Sequence, residues 1–201
     1  GLEILKKGGN AIDASIAVQY ALAVVFPEAG NIGGGGFMVF HTKEGESYSI
    51  DFRETAPQAA YRDMYLDENG ELIPNKSLDG HLATGIPGTV AGTFLAHEKF
   101  GKLPMDKLIQ PAIQLAEHGY AITQKEAEGL NKYADKFHKL NTVPNAFTKK
   151  EAWKAGDILV QSDLAATLKR IQEEGEKGFY EGETAKLIVE EMQRGGGIIS
   201  L

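Results

Sequence analysis

The stretch GGGGFMVFHTKEGESYSIDFRE, residues 33–54, decides the fold. Four glycines lead into two runs that contain aromatic and β-branched residues, FMVFHTK and SYSIDFRE, and the turn residues 44–46 separate the runs. This arrangement predicts a β-hairpin. The first run is apolar on both faces, as expected for a central strand. The second run alternates, so its two faces carry different residues: Tyr48, Ile50 and Phe52 against Ser49, Asp51 and Arg53.

Helical patterns surround this hairpin. Asn10 is a good N-cap residue, and Asp13 can return a hydrogen bond to the free amides in a variant of the capping box. The helix that follows, 11–26, is rich in alanine and apolar on almost all sides, which indicates burial between layers. Further helices are predicted over 87–100, 105–119, 125–140, 162–174 and 184–194. We therefore predict one α+β domain, residues 1–201, dominated by helices around one strand pair.

Composition excludes several classes of function. Lys and Arg number 21 against 28 Asp and Glu, so the net charge of −7 disfavours nucleic acid as a partner. Cysteine is absent, which excludes disulfides, thiolate metal sites and a Cys nucleophile. The longest apolar helix is too short and too polar for a membrane span, which needs roughly 20 apolar residues.

Metal and cofactor motifs are missing as well. The glycines at 33–36 stand between a helix and a strand, whereas a phosphate-binding loop follows a strand and opens a helix. We expect these glycines to permit close backbone packing instead. None of the five histidines lies four residues from another, so a zinc site is not expected. The sequence thus predicts neither a metal nor an organic cofactor.

Arg53 is the remaining candidate for a functional residue. It ends the polar row of the second strand, and its guanidinium presents paired donors that match a carboxylate. Asp51 and Glu54 could also hold it in a structural salt bridge. The residues alone leave both interpretations open and favour the salt bridge.

The two ends of the chain indicate a fragment. Gly1 opens on GLEILKK, which is typical of the last turns of a helix, and GGGIISL at the other end leads into an apolar segment. We therefore expect a piece of a longer protein, cut at both ends.

Long ordered strings resemble the large-subunit segment of γ-glutamyltranspeptidases. They are GGNAIDASIAVQYALAVVFPEAGNIGGGGFMVF, IDFRETAP, ATGIPGTVAGTFLAHEKFGKLP, IQPAIQLAEHGYAIT and DLAATLKRIQEEGEKGFYEGETA. Together they span essentially all 201 residues. The resemblance implies an N-terminal-nucleophile hydrolase with an αββα sandwich, of which this chain is the helix-rich N-terminal part of the large subunit. It also implies a precursor that cleaves itself into a large and a small subunit.

The resemblance further implies the chemistry. The N-terminal Thr of the small subunit attacks the γ-glutamyl amide of glutathione or another γ-glutamyl compound, and its own amine serves as base. In this family the Arg of the D-x-R-E-x-A-P string binds the substrate α-carboxylate, which assigns substrate binding to Arg53. Thr55, Thr84 and Thr89 lie inside large-subunit strings and do not match the nucleophile. We therefore expect no catalytic residue in this chain, and no activity without the small subunit.

Two alternatives remain open. A related acylase, such as a cephalosporin acylase or a poly-γ-glutamate depolymerase, would keep the fold and change the substrate. A non-catalytic binding or scaffold relative would lack a usable nucleophile. The resemblance also implies a periplasmic or secreted protein, because bacterial members are usually exported.

Overall fold

The computed structural model describes residues 1–148 and 152–201. These residues form an α+β chain rich in helix, which confirms the predicted class. The helices are α1 (Leu2–Lys6), α2 (Ala11–Val25), α3 (Thr89–Phe100), α4 (Met105–His118), α5 (Gln124–Lys132), α6 (Ala134–Leu140), α7 (Ser162–Glu174), α8 (Lys177–Tyr180) and α9 (Gly182–Gly195). The strands are β1 (Phe37–His41), β2 (Ser47–Asp51), β3 (Tyr120–Ala121) and β4 (Ile158–Leu159).

The main core forms where α4 packs between α2 and α7. Each helix contributes fully buried side chains: Ile16, Tyr20 and Val24 from α2, Leu108, Ile109 and Ile113 from α4, and Leu168 and Ile171 from α7. Burial of an apolar side chain of this size stabilises a protein by about 1.5–3 kcal/mol. This helical layer is therefore the main source of stability among the described residues. The predicted burial of α2 is confirmed on its broad inner side, although Val18 and Leu22 remain more than a third exposed.

A buried carboxylate fixes the beginning of α2. Asn10 and Asp13 form the predicted capping box, in which each side chain accepts the other residue's N–H at 2.9 Å. The same carboxylate accepts the N–H of Lys102 at 2.9 Å and of Leu103 at 3.3 Å. The Asn10 amide donates to the Phe100 carbonyl at 2.6 Å. Asp13, which is fully buried, thus fastens α2 to the loop that joins α3 to α4.

The hairpin forms as predicted, with β1 antiparallel to β2 and Val39 opposite Ser49. One face packs inward, where Phe40 and Tyr48 contact Phe100. The other face of β1 is open: Phe37 is 63% exposed and Val39 is 78% exposed. The prediction that β1 is covered on both faces is wrong for the described residues, because β2 is its one strand partner there and no described helix packs on the outer face.

Three further expectations differ in detail from the structure. The helix predicted over 125–140 divides into α5 and α6 because the backbone leaves helical geometry at Tyr133. The helix predicted from Pro87 begins at Thr89, after an N-cap at Gly88. A second strand pair, β3 with β4, joins segments far apart in sequence. Strands of two residues carry no periodicity from which they could be predicted.

A polar network ties α9 to a 3-10 turn at His81–Ala83. The Glu191 carboxylate accepts hydrogen bonds from His81 Nε2 at 2.7 Å, Thr142 Oγ1 at 2.8 Å and Arg194 Nη2 at 2.7 Å. Partial burial by itself would raise the pKa of Glu191. The hydrogen bonds from His81, Thr142 and Arg194 outweigh that effect and hold the pKa at about 2.

Replacing Asp13 with Ala should cost about 2–4 kcal/mol of the free energy of unfolding, because three backbone N–H groups lose their acceptor in or beside the core. Denaturant unfolding of the complete gene product measures this loss. Ser15→Ala is the matched control, since this exposed residue lies one half-turn along the same helix; it should change stability by less than about 0.5 kcal/mol. An equally small effect of both substitutions would contradict the fastening role of Asp13.

Replacing Glu191 with Gln should destabilise the protein at neutral pH but not in strong acid. A carboxylate whose pKa falls from 4.5 to about 2 on folding contributes stability above pH 4.5 and loses that contribution as the pH falls to about 2. Solvent screening limits the contribution to about 1 kcal/mol. Unfolding curves of both proteins at several pH values across this range measure the difference. Glu190→Gln, at an exposed neighbouring position, is the matched control and should change stability at neutral pH by less than about 0.5 kcal/mol.

Candidate functional site

Arg53 lies just beyond β2, between two pairs of backbone hydrogen bonds. On one side Phe52 exchanges hydrogen bonds with Gly36, at 3.0 and 3.3 Å. On the other side Thr55 exchanges hydrogen bonds with Ile86, at 3.2 and 2.8 Å. The backbone of Arg53 is therefore held from both directions, although the residue belongs to no regular strand.

Among the residues that the structure describes, the guanidinium of Arg53 forms one weak ion pair. Its side chain is 67% exposed, and Nε lies 4.0 Å from Glu54 Oε2. The Phe37 ring lies nearby, with its centroid 5.9 Å from Cζ. An exposed ion pair of this kind contributes about 0–1 kcal/mol. Of the five N–H donors on a guanidinium, this long contact engages at most one, so the group can still receive a carboxylate from a ligand.

Asp51 binds the backbone of Arg53 rather than its side chain. Asp51 Oδ1 accepts the Arg53 N–H at 3.0 Å, a local turn that fixes the direction of the chain as it leaves β2. Of the two salt-bridge partners named from the sequence, Glu54 makes only the 4.0 Å contact, and no Asp51–Arg53 ion pair occurs among the described residues. The salt-bridge interpretation therefore rests on one weak, exposed interaction.

The glycine run packs directly against this segment. A Cβ at Gly35 would lie 2.5 Å from the Phe52 carbonyl oxygen and 2.8 Å from Arg53 Cα. At Gly34 it would lie 2.6 Å from Asn31 Oδ1. Real Cβ atoms essentially never approach backbone atoms so closely, which confirms the predicted close backbone packing for Gly35; at Gly34 the near atoms belong to side chains, which could shift. The run follows α2 and precedes β1, the order opposite to that of a phosphate-binding loop.

Gly88, which was not identified from the sequence, packs against the same segment from the beginning of α3. A Cβ at Gly88 would lie 2.1 Å from the Phe52 carbonyl oxygen. The Gly34 carbonyl accepts the N–H of Gly88 at 2.8 Å and of Thr89 at 3.0 Å. The beginning of α3 is thereby joined to the glycine run. The Pro-Gly pair at 87–88 was the available signal, but it indicates a turn rather than a site.

Two of the histidines form hydrogen bonds with backbone carbonyls of nearby residues. His97 Nε2 bonds the Leu103 carbonyl at 2.7 Å, and His118 Nδ1 bonds the Gln114 carbonyl at 2.9 Å. Within residues 1–148 and 152–201, no group of three or more His, Asp and Glu side chains is arranged to hold a metal. No helix in the same residues is long and apolar enough to cross a bilayer.

A cavity of about 900 Å³ opens beside the glycine run, lined by Gly33, Pro87 and residues of α7 and α9. Its volume lies within the range of small-molecule pockets. Arg53 does not line it. Sequence reasoning could not find this cavity, because its walls come from segments that share no local pattern.

Comparison with known proteins identifies the family. The γ-glutamyltranspeptidase family model matches residues 1–201. The glutathione hydrolase proenzyme of Escherichia coli is 48% identical over 207 residues, covering 100% of this chain and 35% of the relative. The crystal structure of Helicobacter pylori γ-glutamyltranspeptidase superposes with a TM-score of 0.96 at 49% identity, covering 99% of this chain and 58% of that one.

The likeness extends to acylases. The cephalosporin acylase of Bacillus halodurans superposes with a TM-score of 0.84 at 27% identity, covering 99% of this chain and 38% of that one. These neighbours are N-terminal-nucleophile hydrolases, which confirms the predicted fold class. The chain spans about a third of the length of the E. coli relative, within its N-terminal part. This chain belongs to the γ-glutamyltranspeptidase family.

Proposed function

We propose that this chain forms the carboxylate-binding wall of a γ-glutamyltransferase or glutathione hydrolase, and that Arg53 binds the α-carboxylate of the γ-glutamyl group. The proposal rests on the backbone hydrogen bonds around Arg53 and on the exposure of its side chain. Its backbone is fixed by hydrogen bonds on both sides, while its guanidinium is exposed and, within the described part of the chain, pairs with one carboxylate at 4.0 Å. A guanidinium that extends from a fixed backbone and forms only a weak ion pair is suited to bidentate binding of a carboxylate. The glutathione hydrolase relatives support the substrate class.

The bond-breaking groups belong to the rest of the protein in this proposal. The hydroxyl of an N-terminal Thr attacks the γ-glutamyl carbonyl, and its α-amine takes the proton and passes it to the leaving amine. Water or an amino acid then releases the γ-glutamyl group from the resulting ester. Two of the threonines inside the large-subunit strings are unsuited to that role: Thr89 is 1% exposed within α3, and Thr55 is held in the bridge to Ile86.

The partners follow from this division of labour. The proenzyme names of the relatives support a precursor that is cut into two subunits, and the small subunit would cover the site from the other side. The substrate would be glutathione or another γ-glutamyl compound. A periplasmic or secreted location fits the family resemblance.

The likeness to a cephalosporin acylase favours one second candidate, an acylase acting on a different side chain. A γ-glutamyl anilide and a glutaryl anilide both carry the carboxylate that Arg53 would bind, but the glutaryl compound lacks the α-amine beside it, which a γ-glutamyl enzyme would also recognise. The ratio of the two kcat/KM values therefore separates the candidates. A preference for the glutaryl compound would favour the acylase.

Replacing Arg53 with Ala in the complete enzyme should lower kcat/KM for a γ-glutamyl anilide by about 30- to 1000-fold, because a charge-assisted pair with the substrate is lost. Lys should recover only part, since an ammonium cannot form the paired contact. Arg62→Ala is the matched control: this arginine is also exposed, and its one ion pair among the described residues is with Asp63, at 3.4 Å. Unaltered kinetics in Arg53→Ala would leave Arg53 with the salt-bridge role alone.

The complete gene product should mature into two chains, the second beginning with Thr. Intact-mass measurement and N-terminal sequencing of the smaller chain test this directly. The isolated 201-residue chain should show no turnover of a γ-glutamyl anilide, because it lacks the nucleophile. A stable uncut product under maturation conditions would instead favour a non-catalytic relative, and turnover by the isolated chain would place the nucleophile within it.

A further inference from the structure

The ring of Phe52 occupies a slot between two glycines. On one side a Cβ at Gly92 of α3 would lie 2.2 Å from Phe52 Cγ and 2.4 Å from its Cβ. On the other side a Cβ at Gly36 would lie 3.0 Å from Cε2 at the far edge of the ring. Phe52 directly precedes Arg53, so the slot holds the residue on which the position of Arg53 depends.

Helix propensity does not account for Gly92. Glycine inside a helix is less favourable than alanine by about 1 kcal/mol, and Gly92 is a buried residue near the beginning of α3. Nor does the backbone demand glycine there, because Gly92 has ordinary helical geometry with no positive φ. The three heavy atoms nearest an added Cβ all belong to the Phe52 side chain, so the close approach of Phe52 excludes a larger residue at this position.

We propose that Phe52 is a positioning residue for Arg53, and that Gly92 is required because it admits Phe52 to its slot. The inference rests on the proposed function of Arg53 and deepens it. Three contacts hold Phe52 in place. Its ring lies between Gly36 and Gly92, and its N–H donates to the Gly36 carbonyl at 3.0 Å. Its own carbonyl packs against Gly35 and Gly88. None of them touches the guanidinium, so they place Arg53 without restricting its donors.

A methyl group at position 92 would displace the Phe52 side chain. Ordinary van der Waals contact begins near 3.4 Å, so a contact of 2.2 Å has to open by about 1 Å. The base of the Phe52 side chain cannot rotate away, because its Cβ lies as close as its Cγ. The displacement therefore passes into the backbone beside Arg53. A misplacement of about 1 Å in a binding group can lower catalytic efficiency by about 100-fold.

The test is a double-mutant cycle in the complete enzyme with a γ-glutamyl anilide. Gly92→Ala should lower kcat/KM by about 10- to 100-fold, chiefly through KM, because substrate binding is impaired while the nucleophile is untouched. In the Arg53→Ala background the same substitution should cost less than about 3-fold, since there is no guanidinium left to misplace. Gly129→Ala is the matched control: at this helical glycine in α5, no described atom outside the local helix backbone lies within 4 Å of an added Cβ, so kcat and KM should stay unchanged.

Phe52→Leu serves as the second variant should Gly92→Ala fail to mature. It keeps Cβ and Cγ but removes the ring edge that lies on Gly36, and it should give the same dependence on Arg53. If either substitution causes its full loss in the Arg53→Ala background, or if Gly92→Ala matures and leaves KM unaltered, the positioning role is wrong while the role of Arg53 stands. A loss-free Arg53→Ala enzyme would overturn both.

Discussion

Three backbone segments meet around Phe52 at distances that no side chain larger than a hydrogen atom permits. Gly35 approaches it from the glycine run, and Gly88 and Gly92 approach it from the beginning of α3. This constraint sets where the chain goes after β2, because Phe52 cannot move without moving both neighbours. It also sets where α3 begins, since the Gly34 carbonyl accepts the first N–H groups of that helix. The local architecture around Arg53 is thus a consequence of close packing.

Arg53 combines a backbone that hydrogen bonds hold in place with a guanidinium whose ion pair is weak. A guanidinium that already formed a buried ion pair would have to exchange that partner for a ligand, and the exchange would cancel much of the gain. Here the existing partner is distant and exposed, so little is lost when a carboxylate arrives. The neighbouring carboxylates of Asp51 and Glu54 disfavour a bare anion. They suit an α-amino acid group, which carries a positive charge beside its negative one.

Local patterns predicted much of this structure. The capping box of Asn10 and Asp13 involves residues three apart, and its geometry follows from the sequence. The alternation in β2 likewise placed Ile50 inward and Arg53 outward. By contrast, the orientation of Asp51 toward the backbone was not predictable, because a carboxylate beside an arginine more commonly suggests an ion pair.

The parts that could not be predicted depend on contacts between distant segments. The residues adjacent to Gly92 in sequence do not indicate that the aromatic ring of Phe52 lies against it. The open face of β1 is a similar case, since Phe37 and Val39 match a central strand whether or not a neighbour is present. The break between α5 and α6 at Tyr133 carries no Gly or Pro to mark it.

The joins around Phe52 also bear on the order in which the molecule assembles. Gly34 bonds Gly88, and Thr55 bonds Ile86, across long intervening stretches of chain. Closing such loops costs conformational entropy that a single helix such as α2 does not incur. The helical layer incurs the same kind of cost, because α4 packs against α2 and α7 from distant parts of the chain. The segment that carries Arg53 and the helical layer both depend on closing long loops, so we expect the two to become ordered together during folding.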